Sequence, residues 1–299
     1  MSLSPSVDIF VPEPSPFWLL FLPFFWVDGF WRGRASGSAR VYPDMEQTHG
    51  ARSIDRAIIL AAGFGSRLIG MEDPPKALAR VGGRPLLLQI VENLAAVGVE
   101  ECVIVVGHKG AQIVEALERH RVRAAIRFVR NPRFDLPNGN SLLAARDYIE
   151  GRTLLTMADH LCDPSIYKSV IEHPAGASEA VLAVDRRIDA CFDLGDATKL
   201  VVKDGLITAI GKELREFNAI DTGVFCVVPE LIHALESLDG EMGDEGVSLS
   251  EGVSILADEG RFHAAEIDAR ARWIDVDTPA ARRRAEELFT AAPPGFALA

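Results

Sequence analysis

The sequence has few cysteines, and their spacing excludes two kinds of stabilisation. Its four cysteines are Cys102, Cys162, Cys191 and Cys226, and no two of them form a C-x-x-C pair. Zinc sites and disulfide frameworks need closely spaced or numerous cysteines. The seven histidines show no metal-ligand spacing either. We therefore expect reduced, mostly buried thiols rather than a zinc site or a disulfide framework.

A basic excess is also missing, since the formal net charge is −12. Nonspecific nucleic-acid binding requires a basic field that displaces counterions from phosphates. The charge balance therefore argues against nucleic acid as a partner. Any phosphate binding must come from local cations.

The chain lacks an apolar run long enough to be a convincing membrane span. The aromatic run at residues 17–27 is interrupted by Pro23 and is far short of the roughly 20 residues that a span needs. A secretory signal carries cations ahead of its apolar run, whereas Asp8 and Glu13 are the only charges here. Residues 1–50 are either a non-native extension upstream of a start at Met45, or a peripheral membrane or partner anchor through residues 17–31. We expect them to be disordered and the protein to be cytoplasmic.

A glycine-rich loop follows an apolar strand near residue 60. The run Ala57-Ile58-Ile59-Leu60 is typical of a buried parallel strand, and A-A-G-F-G-S-R follows it at residues 61–67. Two glycines separated by one residue allow a sharp turn that brings backbone N–H groups against a polyphosphate. Arg67 and Lys76 supply cationic donors for its oxygens. The stretch predicts a nucleoside triphosphate site.

Two commoner phosphate motifs do not fit this loop. A dinucleotide fingerprint needs glycine where the chain has Leu68, and a Walker A loop needs a terminal G-K-[ST]. The plain alternative for the glycines is a strand-to-loop turn with Arg67 as a surface cation. The nearby Pro75-Lys76 favours the phosphate site.

Apolar strands alternate with amphipathic helical stretches from Arg56 onward. The spacing predicts helices over 85–97, 111–120 and 141–149, and strands over 102–106, 125–129 and 153–158. This pattern is typical of an α/β fold with a Rossmann-like, mostly parallel sheet covered by helices on both faces. Because ligands bind at the carboxyl ends of such strands, we expect Gly63 and Asp159 to face one crevice.

Antiparallel elements are predicted in the second half. A β-hairpin turns at Asp204-Gly205, a strand spans 220–228, and helices span 229–238 and 248–258. Thr278 is expected to cap a helix that begins at Pro279. We therefore expect a single domain over 51–299, with a nucleotide-binding half at 51–165 and an acceptor-binding half at 166–299.

Residues 56–290 resemble the nucleotidyltransferase superfamily, which joins a phosphate monoester to a nucleoside triphosphate. The general resemblance rests on L-A-A-G-F-G-S-R-L, P-K-A-L and V-G-G-R-P-L-L. More specific are N-G-N-S-L-L, L-T-M-A-D-H, G-D-A-T-K, I-G-K-E-L-R-E-F and D-T-G-V-F, which begin at residues 138, 155, 195, 210 and 221. In this order they are similar to the inositol-1-phosphate cytidylyltransferase branch. The resemblance implies that CTP and inositol 1-phosphate give CDP-inositol and pyrophosphate.

The resemblance also implies a magnesium cofactor. Asp159 and Asp277 follow apolar runs, fall at the superfamily's two magnesium positions, and carry the hard oxygens that Mg²⁺ prefers. Asp275 is a rival ligand, and a helix N-terminal charge is the plain alternative for Asp277. Arg67 is expected to bridge the triphosphate, and Lys76 to hold its ammonium near the α-phosphate.

Residues for the base and the acceptor come from the same motifs. The expected nucleotide-binding residues are Ala61, Ala62, Gly63, Gly65, Asn138, Gly139 and Ser141. Amides and hydroxyls can read the edge of a cytosine, although an N-G turn that caps a helix would use the same residues. Family members tend to have an aromatic residue in place of Asn140, which leaves strict CTP preference open. The expected acceptor-binding residues are Lys199, Lys212, Arg215, Asp221 and Thr222.

Two other functions stay open. In the first, the chain is a nucleotidyltransferase whose acceptor is choline phosphate or a sugar 1-phosphate. Recognition of choline favours an aromatic cage, whereas the acceptor half offers mainly Lys, Arg, Asp and Thr. The other is a non-catalytic nucleotide-sensing or scaffold subunit, for which the retained Arg67 and Lys76 are unfavourable. Some relatives are fused to a membrane enzyme that consumes CDP-inositol, and no such span follows residue 290. We therefore expect product hand-off to a separate membrane CDP-alcohol transferase.

Overall fold

Strands and helices alternate through the first half of the chain in the computed structural model, which describes residues 54–64 and 74–290. The elements before residue 172 are β1 (Arg56–Ala61), β2 (Arg80–Val81), β3 (Arg84–Pro85), α1 (Leu86–Ala96), β4 (Glu101–Val106), α2 (Gly110–Glu118), β5 (Ala125–Arg130), α3 (Asn138–Ala144), β6 (Thr153–Met157), β7 (His160–Cys162) and α4 (Pro164–Ile171).

The second half has more neighbouring strands. Its elements are β8 (Ala180–Asp185), β9 (Lys199–Lys203), β10 (Leu206–Gly211), β11 (Ala219–Val227), α5 (Pro229–Met242), α6 (Leu249–Asp258), β12 (Phe262–Glu266), β13 (Trp273–Asp275) and α7 (Pro279–Thr290). Short 3-10 helices lie at Lys76–Leu78, Arg146–Tyr148, Ile188–Ala190 and Gly243–Glu245.

Nine strands form one mixed sheet in the order β5-β4-β1-β6-β11-β8-β12-β10-β9. The ladders from β5 to β6 are parallel, as is the β8–β12 ladder. The remaining ladders of this sheet are antiparallel, including the β9–β10 hairpin. The predicted α/β class, with a Rossmann-like parallel half and an antiparallel hairpin in the second half, is confirmed.

Buried apolar strands explain the central position of β1 and its neighbours. From Ala57 onward β1 is buried, and β4 shows the same pattern. Strands that are buried on both faces need apolar side chains at consecutive positions, since helices cover both sides of the sheet. Two large apolar clusters form the interior, one with Ile58 and Phe225 and the other with Ile59 and Tyr167.

The hairpin follows its predicted turn chemistry. Asp204 has φ of 50° and Gly205 has φ of 79° between β9 and β10. Positive φ at both central residues is the geometry of the hairpin turn that D-G favours. Thr278 caps α7 as predicted, because its Oγ1 accepts the Ala281 N–H at 3.1 Å.

Two predicted helices have different bounds, since α5 continues to Met242, four residues beyond its predicted end at Leu238. The prediction of a helix over 141–149 is wrong at both ends, since α3 spans Asn138–Ala144 and a 3-10 turn follows at Arg146–Tyr148. Ala145 and Ile149 stay buried beyond the α-helix. The apolar pattern therefore continues through the 3-10 turn, which explains why periodicity alone extended the helix.

The described residues belong to one compact unit, Ala51–Ala299. No helix within residues 54–64 and 74–290 is both long and apolar enough to cross a membrane. All four cysteines are free; three are buried and Cys191 is half-buried. The predictions for residues 1–50, including the 17–31 segment, lie outside the described residues, and the division into two halves stays a prediction.

Candidate active site

A cavity of about 680 Å³ opens at the carboxyl ends of β1 and β6. Ala61, Ala62 and Gly63 line it from the end of β1, and Asp159 lines it from the turn after β6. The crevice that was predicted to join Gly63 and Asp159 is therefore present. Gly65 and Arg67 lie outside the described residues.

Lys76 lies among three carboxylates in this cavity. Its Nζ is 2.5 Å from Oδ2 of Asp159, contacts Oδ1 of Asp277, and is 3.6 Å from Oδ1 of Asp275. The Lys76 side chain is only 12% exposed. The structure thus brings together Lys76, Asp159 and Asp277, three of the residues that the sequence predicted for one site.

Backbone pairing places the two acidic segments side by side. Strand β13 pairs antiparallel with β7, with Asp275 opposite His160. The Val276 N–H donates to the Asp159 carbonyl at 2.9 Å. Lys76 lies 83 residues before Asp159 in the chain and reaches its carboxylate from the 3-10 helix Lys76–Leu78.

His160 connects the carboxylates to an aromatic ring. Its Nδ1 is 2.8 Å from Oδ1 of Asp159, and its ring stacks on Trp273 at 9° and 6.3 Å between centroids. Gly223 has φ of 74°, and a Cβ built on it would lie 2.4 Å from Cδ2 of His160. Glycine at 223 therefore allows the backbone of β11 to approach the imidazole.

Electrostatic interactions shift the pKa values of the site. Burial by itself raises the pKa of Asp159, but the Lys76 charge and the His160 hydrogen bond outweigh it and hold this pKa well below its usual range. Burial lowers the pKa of His160, whereas Asp275 and Asp159 raise it to a net value of about 9. Burial raises the pKa of Asp221 to about 6, although the hydrogen bond that its carboxylate accepts from the Gly223 N–H acts to lower this pKa. Asp159 is therefore ionised beside a protonated His160 at neutral pH.

The carboxylates fit a hard divalent cation. Two groups of side chains have ligand atoms within 4.8 Å of one another, namely Asp159, His160 and Asp275, and Asp196, Asp275 and Asp277. A protonated His160 offers no lone pair to a metal ion, so the carboxylates are the candidate ligands. Carboxylate oxygens are the ligands that Mg²⁺ prefers. Asp275 belongs to both groups. This residue, which the sequence offered as an alternative metal ligand to Asp277, therefore lies at the centre of the acidic cluster. In the described structure Lys76 is a cation that contacts these carboxylates.

Residues of α3 occupy two environments. Asn138 and Ser141 line the cavity. Asn138 Oδ1 accepts the Leu249 N–H at 2.9 Å, and buried Ser141 accepts a hydrogen bond from Asn131 at 3.0 Å. Gly139 instead packs on backbone, since a Cβ there would lie 2.4 Å from the Val247 carbonyl oxygen.

Asn140 is a buried connection between elements. Its Nδ2 donates to Asp239 at 2.7 Å, and its Oδ1 accepts the Val247 N–H at 2.9 Å. It is not among the residues that line the cavity. Asn140, which stands where family members tend to have an aromatic residue, therefore joins α3 to α5 and lies away from the cavity.

The predicted acceptor residues also divide into two sets. Lys212 and Asp221 line the cavity, and Lys212 Nζ lies 2.9 Å from Asp196 Oδ1. Lys199, Arg215 and Thr222 are not among the lining residues.

Contacts of Lys199 and Thr222 explain their placement. The Lys199 Nζ donates to the Lys212 carbonyl at 2.6 Å and lies 5.7 Å from the Phe217 ring centroid. Thr222 is fully buried and donates to the Ala183 carbonyl at 2.8 Å. Arg215 is exposed. Their acceptor-binding roles stay predictions.

Sequence reasoning missed an ion-pair network beside the cavity. Asp185 accepts hydrogen bonds from Arg187 and from Trp273 Nε1, the latter at 2.8 Å, and all three residues line the cavity. Asp185 ends a strand whose residues are all buried. A carboxylate directly after an apolar run, the signal that identified Asp159, would have identified Asp185 as well.

Comparisons with known proteins show the family of the chain. The MobA-like NTP transferase domain family matches residues 57–250. The chain is 34% identical over 236 residues to the bifunctional IPC transferase and DIPP synthase of Thermococcus kodakarensis, covering 79% of this chain and 50% of that protein. A protein of the same name from Rubrobacter xylanophilus is 36% identical over 249 residues, covering 82% and 54%. The chain thus spans about half the length of these curated relatives.

Solved structures share the fold. The inositol-1-phosphate CTP transferase from T. maritima is 26% identical, with a TM-score of 0.65 and coverage of 81% of this chain and 98% of that chain. A putative glucose-1-phosphate thymidylyltransferase from Bacillus anthracis is 18% identical, has a TM-score of 0.69, and covers 80% and 97%. The second likeness shows the fold alone. With its family match across most of the described residues, the chain belongs to the MobA-like NTP transferase family and is a nucleotidyltransferase.

Proposed function

We propose that this nucleotidyltransferase is a magnesium-dependent cytidylyltransferase that converts CTP and inositol 1-phosphate to CDP-inositol and pyrophosphate. The main observation in support is the position of Lys76 among Asp159, Asp275 and Asp277. The same cavity is lined by Ala61, Ala62 and Gly63, which we assign to the nucleotide, and by Lys212 and Asp221, which we assign to the acceptor. The names of the T. maritima structure and of the curated relatives support inositol phosphate as the acceptor.

The acceptor needs no protein nucleophile. A phosphate monoester has a second pKa of about 6, so it is largely a dianion near neutral pH. One of its oxygens attacks the α-phosphorus of CTP, a new P–O bond forms, and the bond between the α- and β-phosphates breaks. The electron pair of that bond leaves with pyrophosphate. The chain must therefore bring two anions together and stabilise the charge that builds up in line.

Charge stabilisation falls to the groups around Lys76. Asp159, Asp275 and Asp277 would hold Mg²⁺, which neutralises charge on the phosphate oxygens when bound. The Lys76 ammonium exchanges its carboxylate contacts for phosphate oxygens as the nucleotide enters. His160 holds the Asp159 carboxylate in place through its protonated Nδ1. Arg67 is assigned to the triphosphate from the sequence motif.

Pyrophosphate release tests the assignment. The protein is incubated with CTP or UTP, and with inositol 1-phosphate, glucose 1-phosphate or choline phosphate, in the presence of Mg²⁺. We expect the fastest release with CTP and inositol 1-phosphate, and loss of release in Asp159→Ala. Faster release with a sugar 1-phosphate or with choline phosphate would show that this compound, and not inositol 1-phosphate, is the acceptor. Unchanged release in Asp159→Ala would show that Asp159 does not bind the metal.

The product requires a consuming reaction. The curated relatives are named as both IPC transferase and DIPP synthase, and this chain matches about half of their length. We keep hand-off of CDP-inositol to a separate membrane CDP-alcohol transferase as part of the proposal. Capture of the tagged protein from its native membranes, followed by assay of the eluate for CDP-inositol consumption, tests the hand-off, and an inactive eluate would count against it.

A further inference from the structure

Three aromatic rings cluster near the end of β1. The Phe64 ring centroid lies 4.9 Å from that of His108 and 5.3 Å from that of Phe134, and the latter two are 6.1 Å apart. These separations are typical of favourable ring contacts. Phe64 and Phe134 line the cavity. We call Phe64, His108 and Phe134 the aromatic wall.

Backbone contacts fix the wall relative to the glycine loop. The His108 N–H donates to the Ala62 carbonyl at 3.0 Å, which ties the loop after β4 to the end of β1. At Gly107 a Cβ would lie 2.3 Å from the Cβ of Phe134. The Phe134 side chain therefore packs directly against the backbone of this loop.

The Phe64 ring leaves much of its apolar surface in solvent. It is 46% exposed, whereas most large apolar side chains in the described parts of the chain are buried. An apolar surface at a cavity mouth is stabilised when a ligand of matching shape removes it from water. Of the groups that a nucleotidyltransferase binds, the nucleobase is flat and aromatic, while ribose, triphosphate and phosphate monoester are polar.

The wall borders the residues proposed to read the base. Phe64 directly follows Gly63, and Phe134 lies shortly before Asn138. Asn138 and Gly63 line the same cavity. A base whose edge faces Asn138 and the Ala62–Gly63 backbone can therefore present a face to Phe64.

We propose that Phe64 stacks on the base of the bound nucleotide, and that His108 and Phe134 position its ring. The identity of that base as cytosine rests on the proposed function. Every nucleobase has an aromatic face, so stacking strengthens nucleotide binding without choosing between cytosine and uracil. The choice is left to hydrogen bonds at the edge of the base.

Paired binding measurements separate stacking from phosphate capture. CTP and inorganic tripolyphosphate are titrated calorimetrically, with Mg²⁺, into the wild-type protein, Phe64→Leu and Phe64→Tyr. Phe64→Leu is expected to raise the Kd for CTP about 5- to 100-fold, because leucine keeps apolar bulk but loses the ring. Tripolyphosphate binding is expected to stay unchanged, and Phe64→Tyr is expected to bind CTP like the wild type. Phe134→Leu should raise the Kd for CTP by a smaller factor, again without an effect on tripolyphosphate binding.

Two results would overturn the stacking role of Phe64. One is wild-type CTP affinity in Phe64→Leu, and the other is an equal loss for CTP and tripolyphosphate, which would mean that the ring only shapes the loop. Failure of the proposed function has a different signature. If the wild type binds UTP more tightly than CTP, and Phe64→Leu weakens UTP binding as much as CTP binding, the stacking role is supported and the assignment as a cytidylyltransferase is lost.

Discussion

The Lys76 ammonium lies 2.5 Å from a carboxylate oxygen of Asp159 and also contacts Asp277. One cation thus holds together carboxylates from two distant parts of the chain. This arrangement couples the stability of the protein to its chemistry, because removal of the cation leaves several like charges close together.

Lys76→Met is expected to reduce turnover about 10²- to 10³-fold, since it removes a fixed cation from the reacting phosphates. It is also expected to destabilise the metal-free protein by about 1–3 kcal/mol, because the carboxylates lose one cationic partner. Added Mg²⁺ should raise the melting temperature of the variant more than that of the wild type. Lys203→Met, at an exposed hairpin position, is the matched control and should change neither property. Wild-type turnover in Lys76→Met would contradict the catalytic role.

Gly223→Ala tests the contact between β11 and His160. The variant combines a positive φ with a Cβ that would meet the imidazole, whereas Gly205→Ala has a similar φ and open space. Both should lose about 1 kcal/mol from backbone strain, and Gly223→Ala should lose more and also lose activity through displacement of His160. Urea unfolding and turnover measure the difference. Equal stability and equal activity of the two variants would show that the close approach has no consequence.

Asn140→Ala is expected to destabilise the protein by about 1–3 kcal/mol, because the buried Val247 N–H loses its acceptor. Its preference for CTP over UTP should stay unchanged, since Asn140 is not among the lining residues. Asn138→Ala, two positions away on the cavity, should show the opposite balance, with a changed preference and a smaller loss of stability. Kinetics with each nucleotide and urea unfolding distinguish the two. A changed nucleotide preference in Asn140→Ala would show that Asn140 takes part in base selection after all.

Asp221 makes stability depend on pH. Its pKa is about 6 in the folded protein, above the ordinary 3.8, so ionisation opposes folding. The wild type should therefore lose stability relative to Asp221→Asn as pH rises from about 4 to about 6, and the difference should then level off. Asparagine retains an acceptor for the Gly223 N–H. Urea unfolding across this range measures the effect, with Asp258→Asn as the control for loss of an exposed charge. Parallel pH profiles of the wild type and Asp221→Asn would contradict a raised pKa.

Local chemistry made several features predictable from sequence. The β9–β10 turn follows from Asp204-Gly205, and the meeting of Gly63 with Asp159 follows from the geometry of parallel strand ends. Pro279 and Thr278 mark the start of α7. In each case the signal lies within a few residues and needs no knowledge of distant packing.

Other features depend on tertiary contacts that no local pattern encodes. The burial of Thr222 and its bond to Ala183 arise because β11 lies between β6 and β8. Lys199 is directed to the Lys212 carbonyl by the hairpin pairing and by the Phe217 ring. Asn140 lies in an N-G-N motif that indicated base binding, and only the position of α5 shows that its amide holds helices together.

Transfer of label from CTP radiolabelled at the α-phosphorus is the most direct test of cytidylyl transfer. The purified protein is incubated with this CTP, inositol 1-phosphate and Mg²⁺, and the nucleotide products are separated. The predicted result is labelled CDP-inositol formed in equal amount with pyrophosphate, with loss of both in Lys76→Met. Label that remains in CTP, or that appears only in CMP, would contradict the proposed reaction.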